Sequence, residues 1–355
     1  MAGSRRAVTT ATCDVLIVGD GPAGCMIALK LRRAGLRCMM IAPRMPANRE
    51  GAIESLPPNV PRLLEAAGLP HHHFADAIAG RFHGIVSDGV VRPFLEETGT
   101  SHMPGEGWHV DRRLFDRVLL NHVFEQDVTI MRERLTAVEF TRDGVMAQSL
   151  SASVRARWLV DASGRSGVLQ RLCRLAVLRP GKQMFAWRGV TRIQRDRGNI
   201  EANDRKTSSM PTYQTFGSSW LWQAPLDDGS LAWTWAGDAN RPPRAPSPDD
   251  TGLCDVAHAR GFDVSWRVVR PTAGAAYWIV GDAAALLDPR TGQGVLFALL
   301  SAIAAARSII AVEQAPHLRS FEAATYDAFV MSEFRHKCAE LSSRVPPASR
   351  RDSLD

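Results

Sequence analysis

The sequence predicts an α/β protein, a helix-flanked parallel sheet with a second, mostly antiparallel sheet, and two observations carry that expectation. The apolar run "DVLIVG" (14–19) leads at once into a glycine-rich turn, a helical pattern and a second apolar run, "LRCMMIA" (36–42). Strand, helix and strand within about 30 residues is the repeating unit of a parallel sheet. Far downstream, "SSWLWQAPLDDGSLAWTWAG" (218–237) sets two aromatic strands about an Asp-Asp-Gly turn, the pattern of an antiparallel hairpin.

Taken in order, the 14–19 run is rich in branched residues, as a strand buried on both faces requires. "PAGCMIALKLRRAG" (22–35) has apolar residues at helical spacing and stops at Gly35. Further helices are expected over "NVPRLLEAAGL" (59–69), "RLFDRVLLNHVF" (113–124), 295–312 and about 318–342. Short strands with turn signals fill 80–95 and 128–160. Polar segments at 191–211 and 240–252 read as a surface excursion and a loop, and the tail 343–355 as disordered. The run 295–312 is interrupted by Arg307 and follows a glycine-rich turn, so it reads as a buried helix and no membrane span.

Composition narrows the partners. The 355 residues suffice for one large or two interlocked domains, and 45% hydrophobic with 23% charged residues is an ordinary globular balance. The net charge of +6 comes from dispersed arginines, because the only lysines are Lys30, Lys182, Lys206 and Lys337. Nucleic acid binding needs a clustered basic stripe, so no such partner is expected. The six cysteines show no CxxC spacing, and "AVTTAT" after Arg5-Arg6 is no signal core. Reduced thiols and a cytoplasmic location follow as expectations.

"GDGPAG" (19–24) places Gly19, Gly21 and Gly24, with Ala23 between them, in a GxGxxG frame where the strand ends and the helix starts. The first glycine permits a tight turn, the second lets backbone approach a pyrophosphate, and the third lets helix and strand pack closely. The helix N-terminus then offers N–H groups to phosphate. The acidic residue expected at the end of the second strand to hold a ribose is missing, for Ala42 stands there; Arg44 is the nearest charged residue. In "YWIVGDAAALLDPRTGQG" (277–294) a strand ends in Gly281-Asp282, an Asp-Pro pair follows, and Gly292 and Gly294 open a long helix. Asp282 could be a plain helix cap, but a cap does not explain the two motifs that follow in register.

"DVLIVGDGPAG", "GWHVDRRLFDRVL" (107–119), "RWLVDASGRSG" (157–167) and this last stretch occur in an order that resembles the FAD-dependent monooxygenases of the hydroxybenzoate-hydroxylase fold. Within that fold the chain is similar to the flavin-dependent tryptophan halogenases and their non-halogenating relatives, which "AIESLPPNVPRLLEAAGL" (52–69) and "WLWQAPL" (220–226) also resemble. The resemblance implies a discontinuous FAD-binding domain (1–80, 105–180, 265–315), a substrate domain (81–104, 181–264), a C-terminal helix (316–342) and the tail. It also implies FAD contacts from Gly19, Gly21, Ala23, Gly24, Ser55, Arg112, Asp161, Asp282, Gly292 and Gly294, with Pro289 near the flavin face. Trp220 and Trp222 point to one side of a strand, as core packing or as a substrate wall.

Halogenation is disfavoured at this stage, because these halogenases use a lysine to pass on hypohalous acid and none lies between Lys30 and Lys182. The glutamate that they carry after the Asp-Pro pair is also missing. The expected activity is hydroxylation of an electron-rich, indole-like ring through a flavin C4a-hydroperoxide. "ESLPP", "GWHVDRRLFD" and "DPRTGQG" resemble the stretches of members that oxygenate a peptidyl tryptophan in quinone-cofactor maturation, which implies that the substrate could be a protein or peptide. The chain's partners would be O2 and either NAD(P)H, bound transiently, or a separate flavin reductase, since no second GxGxxG appears. An isoprenoid-chain reductase and a non-catalytic flavin-binding protein remain as alternatives. "HHH" (71–73) reads as a solvated loop, not a metal site, and His102 and His109 as structural or as an acid or base. Ser163 and Ser166 lack a His and acid arrangement, and no catalytic residue is assigned.

Overall fold

Val15, Leu16 and Ile17 are fully shielded from solvent, and the strand that carries them, Thr9–Val18, is central to a seven-stranded sheet. The computed structural model describes residues 9–44, 52–94, 105–192, 210–238, 260–287, 289 and 292–343. Thr9–Val18 pairs in parallel with Cys38–Ile41 on one side and Ala152–Asp161 on the other. Thr129–Met131 continues the parallel pairing beyond Cys38–Ile41, and Tyr277–Ile279 pairs in parallel with the end of Ala152–Asp161. Gly144–Gln148 and Ala137–Thr141 extend the sheet as an antiparallel meander. The first strand starts earlier than the sequence suggests, because its threonine-rich approach pairs with Ala152–Arg155.

Helices Pro22–Arg33, Arg112–Phe124 and Gly294–Gln314 pack on one another beside this sheet. Gly294–Gln314 is long and apolar enough to cross a membrane, yet it is packed against Pro22–Arg33 and Arg319–Ser343, with Leu299, Ala302, Ala305 and Ile309 fully buried. Asp111 caps Arg112–Phe124 by accepting from the Arg113 and Leu114 amides at 2.8 and 3.2 Å.

A second seven-stranded sheet runs in the order Arg260–Asp263, Met184–Arg192, Ser230–Asp238, Ser219–Pro225, Thr212–Phe216, Gly84–Ser87 and Val90–Pro93. Every pairing in it is antiparallel except Thr212–Phe216 with Gly84–Ser87. The hairpin turns where the sequence places it, with Gly229 at φ +81°. A three-stranded antiparallel sheet, Ile53–Leu56, Gly107–Asp111 and Ile78–Phe82, lies in sequence between contributions to the two large ones. A second small sheet joins Ala176–Leu178, Arg267–Arg270 and Ala285–Leu286.

Three expectations need correction or fall outside the description. The histidine triplet is not a loop: His71–Ala77 is a 3-10 turn. His71 sets its ring edge against Trp108, and the His73 and His122 ring nitrogens are 2.9 Å apart. Helix 59–69 ends at Ala66, and Gly68 takes a left-handed turn. Most of 191–211, all of 240–252, His102 and residues 344–355 lie outside the described residues.

The glycines of "GDGPAG" differ sharply in the space around them. A Cβ on Gly24 would stand 2.1 Å from the Gly19 carbonyl oxygen, whereas one on Gly21 would meet nothing within 4 Å. Gly24→Ala should therefore cost about 1–3 kcal/mol in urea unfolding. Gly21→Ala should stay within about 0.5 kcal/mol; equal losses would contradict this packing.

Candidate functional site

Three parallel strands end side by side, and their ends form one rim of a cavity. Gly19 follows Val18 at φ +106°, Ala162 to Gly164 follow Asp161, and Gly281 follows the third strand at φ +59°. Backbone bonds level them: the Ala162 amide donates to Val18 O at 2.8 Å and the Val280 amide to Asp161 O at 2.9 Å. The cavity above has a volume of about 940 Å3, within the range of cofactor and ligand sites. Gly19, Gly21, Ala23 and Ala42 line one part of it, and Asp282 lines another. Trp220, Trp222, Thr234 and Phe262 form a wall supplied by the antiparallel sheet. Pro289, Gly292 and Gly294 close it at the start of the long helix.

Gly281 sits where two helices cross, because a Cβ there would come 3.2 Å from that of Ala23 and 3.4 Å from that of Ala298. Its amide donates to Ser301 Oγ at 2.9 Å, which pins the turn that presents Asp282. Asp282 faces Arg165, whose Nε is 3.6 Å from its carboxylate. Burial raises the Asp282 carboxyl above its ordinary range, and the Arg165 charge opposes the rise. Arg112 lines the cavity from the first turn of its helix, where Glu54 and Asp116 engage its guanidinium. Burial would raise Glu54 too, but the Arg112 charge and hydrogen bond outweigh it and hold the carboxyl below its usual range.

Ser55 belongs to a different set of contacts from the one expected. It borders the cavity, but its Oγ accepts from the Trp222 indole N–H at 3.1 Å and lies 2.9 Å from His109 Nδ1. His109 itself is fully buried, stacked on Phe82 with ring centroids 4.4 Å apart, and does not border the cavity.

Asp161, expected at the cofactor, does not line the cavity. It is fully buried, and its two oxygens accept from the Ser163 and Leu169 amides at 2.9 and 2.7 Å. Its carboxylate thereby shapes the loop that follows the strand. Ala42 borders the cavity with no carboxylate, and Arg44 is exposed and away from the lining. Sequence reasoning passed over Asp116, Arg165, Arg188 and Phe262. Asp116 could have been found from its i+4 spacing to Arg112; Arg188 and Phe262 carry no local signal.

The residues present fit FAD. The missing Cβ of Gly21 leaves open backbone at the cavity, and Asp282 with the glycines at the long helix lines the same space. Known proteins agree. Flavin-dependent halogenase armH5 of Armillaria mellea is 25% identical over 359 residues, covering 83% of this chain and 64% of that relative. The chain thus spans less than two thirds of armH5. The structure of CmlS, a flavin-dependent halogenase, aligns with a TM-score of 0.80 at 20% identity over 97% of this chain and 68% of that one. Peptidyl tryptophan dihydroxylase QhpG, essential for tryptophylquinone cofactor biogenesis, gives 0.71 at 22% identity over 96% and 77%. These two likenesses show the α/β fold. With armH5 and CmlS both named as halogenases, the expectation that halogenation is disfavoured gains no support from the relatives. A family model described as FAD binding domain matches residues 12–320, and the chain belongs to that family, with FAD as its cofactor.

Proposed function

We propose that this chain is a FAD-dependent monooxygenase that hydroxylates an electron-rich, indole-like ring. One observation carries the proposal: a single cavity joins the dinucleotide glycines to a wall of tryptophans. Gly19, Gly21 and Ala23 would hold the pyrophosphate, with Gly24, expected there too, lying off the lining and seating the helix on Gly19, and Asp282 would hold a ribityl hydroxyl. Gly292 and Gly294 would bring the positive end of the long helix to the flavin's pyrimidine edge. Reduced FAD, when bound, supplies oxygen activation. The chain's own residues then exclude water and place the ring. Trp222 is fixed by Ser55 and Trp220 is buried beside it, so the wall is stiff. An indole needs no prior deprotonation, which suits a site with no obvious base.

QhpG is a peptidyl tryptophan dihydroxylase, which supports an indole as the ring. The electrons would come from NAD(P)H or a separate flavin reductase. Five described cysteines are free thiols, which suits a reducing, cytoplasmic setting.

Halogenation is the second reading, favoured by armH5 and CmlS. Against it stands the cavity's chemistry: its described cations are all arginine. A guanidinium stays protonated and cannot carry an electrophilic halogen as a free amine can. With reduced FAD and O2, tryptophan or a tryptophan peptide should gain oxygen by mass spectrometry, with or without chloride or bromide. Halogen incorporation would decide for the second reading. Asp282→Ala should lose the flavin absorbance band on purification, and full occupancy would refute the cofactor site.

His109 is not a proton carrier here. Burial pushes its imidazole down to about 3, so it stays neutral in the folded protein. The unfolded chain takes up that proton below the ordinary value of 6.5. Between these limits the unfolded state holds more protons, and stability falls as pH falls, by up to about 1.4 kcal/mol per unit. The stability difference between the wild type and His109→Gln should therefore shrink on acidification, measured by denaturant unfolding; a pH-independent difference would mean that His109 takes up its proton as readily when folded as when unfolded.

A further inference from the structure

The helix Gly294–Gln314 opens on the cavity, and its first turn contains no acidic residue. A carboxylate reaches this end from another element. The strand Ile53–Leu56 lies against the turn: a Cβ on Gly292 would stand 3.4 Å from the Ser55 carbonyl oxygen, and one on Gly294 would stand 3.9 Å from Glu54 Oε1. The second Glu54 oxygen, Oε2, accepts from Arg112 Nη1. Arg112 is shared with Asp116, whose two oxygens lie 3.1 and 3.2 Å from its Nη2.

Glu54, Arg112 and Asp116 all line the cavity, and none of the three side chains is more than 27% exposed. Burial works against ionisation of Glu54, but the Arg112 charge and hydrogen bond, helped by Arg188 and Arg165, hold its carboxyl below the usual range. Arg165 has a carboxylate of its own to face, Asp282. One guanidinium between two ionised carboxylates leaves the trio with one negative charge. A helix end carries only about half an elementary charge. At comparable distance from the helix mouth, the trio therefore outweighs the dipole.

Reduction adds two electrons and one proton to FAD, so the reduced form bears one more negative charge, held at the pyrimidine edge of the flavin. We propose that Glu54 sets the redox poise of bound FAD: its charge at the mouth of the long helix disfavours the reduced form and makes it a stronger reductant toward O2. This rests on the reading that Gly292 and Gly294 meet the pyrimidine edge, and it gives Glu54 a role that reading leaves unassigned.

The test is the midpoint potential of FAD bound to the protein, taken by spectroelectrochemical titration at mildly alkaline pH. Unit charges a few ångström apart in a partly screened site shift an equilibrium about tenfold or more. Glu54→Gln should therefore raise the affinity for reduced FAD about tenfold relative to oxidised FAD, an upward shift of about 30 mV for a two-electron couple. Glu54→Asp keeps the charge on a shorter stem and should stay near the wild type. A merely structural role predicts the reverse order, because Gln matches Glu in shape and Asp does not. Asp116→Asn removes the other carboxylate of the trio and should raise the potential by less; it carries the test alone if Glu54→Gln does not fold. An unchanged or lowered potential in the Gln and Asn variants, or a larger shift in Glu54→Asp than in Glu54→Gln, would overturn this inference and leave the FAD site standing. If the wild type takes up no FAD, the reading of the cavity falls with it.

Discussion

The site depends on a close approach of backbone at the ends of three parallel strands. The Gly24 Cα lies so near the Gly19 carbonyl, and Gly19 so near Ala162, that no larger residue fits without moving a strand end. Gly281 is wedged in the same way between Ala23 and Ala298. Because side chains are missing at these points, the helix Pro22–Arg33 can sit down on the sheet and the long helix can cross it. Both helix N-termini then border the cavity. Loosening any one of these contacts would shift the cradle, the Asp282 turn and the second helix together.

The other half of the cavity is tied to this frame by polar contacts. Ser55 and Glu54 are neighbours on one short strand, yet Ser55 meets the indole of Trp222 from the antiparallel sheet while Glu54 meets Arg112 from a helix beside the parallel one. Arg165 makes a similar link from the loop after Ala152–Asp161, touching Asp282 and Phe262. Buried pairs of this kind add little net stability, because desolvation consumes much of the attraction. They do fix one geometry, and they do so where a flavin and a ring must meet.

What the sequence made legible was backbone. The GxGxxG frame, Gly281-Asp282 and Gly292-x-Gly294 are local patterns whose reason is steric, so they could be read before the fold was known, and all but Gly24 of their named residues border one cavity. Asp161 marks the limit of such patterns, because a carboxylate at a strand end looks the same in sequence whether it meets a ligand or two backbone amides; its bonds to the Ser163 and Leu169 amides appear only in the fold. Ser55 was placed at the cavity, but its partners His109 and Trp222 come from other strands, and nothing in its neighbourhood announces them. Arg188 and Phe262 are nonlocal in the same sense, brought together by strand pairing between Met184–Arg192 and Arg260–Asp263.

The fold alone does not choose between oxygen and halogen transfer, since proteins named for each share it. The choice must lie in the few side chains between the flavin position and the ring. Here the relevant contrast is arginine against lysine. An amine can shed its proton in a dry site, become nucleophilic and carry a reactive atom across a gap. A guanidinium keeps its charge under the same conditions and offers only donors. A cavity whose described cations are all guanidinium can orient an anion and stabilise negative charge, and the proposed oxygen transfer asks no more of them. Under the proposed oxygen transfer the ring itself attacks, so a wall that places it suffices and no side chain need carry a reactive atom between flavin and ring.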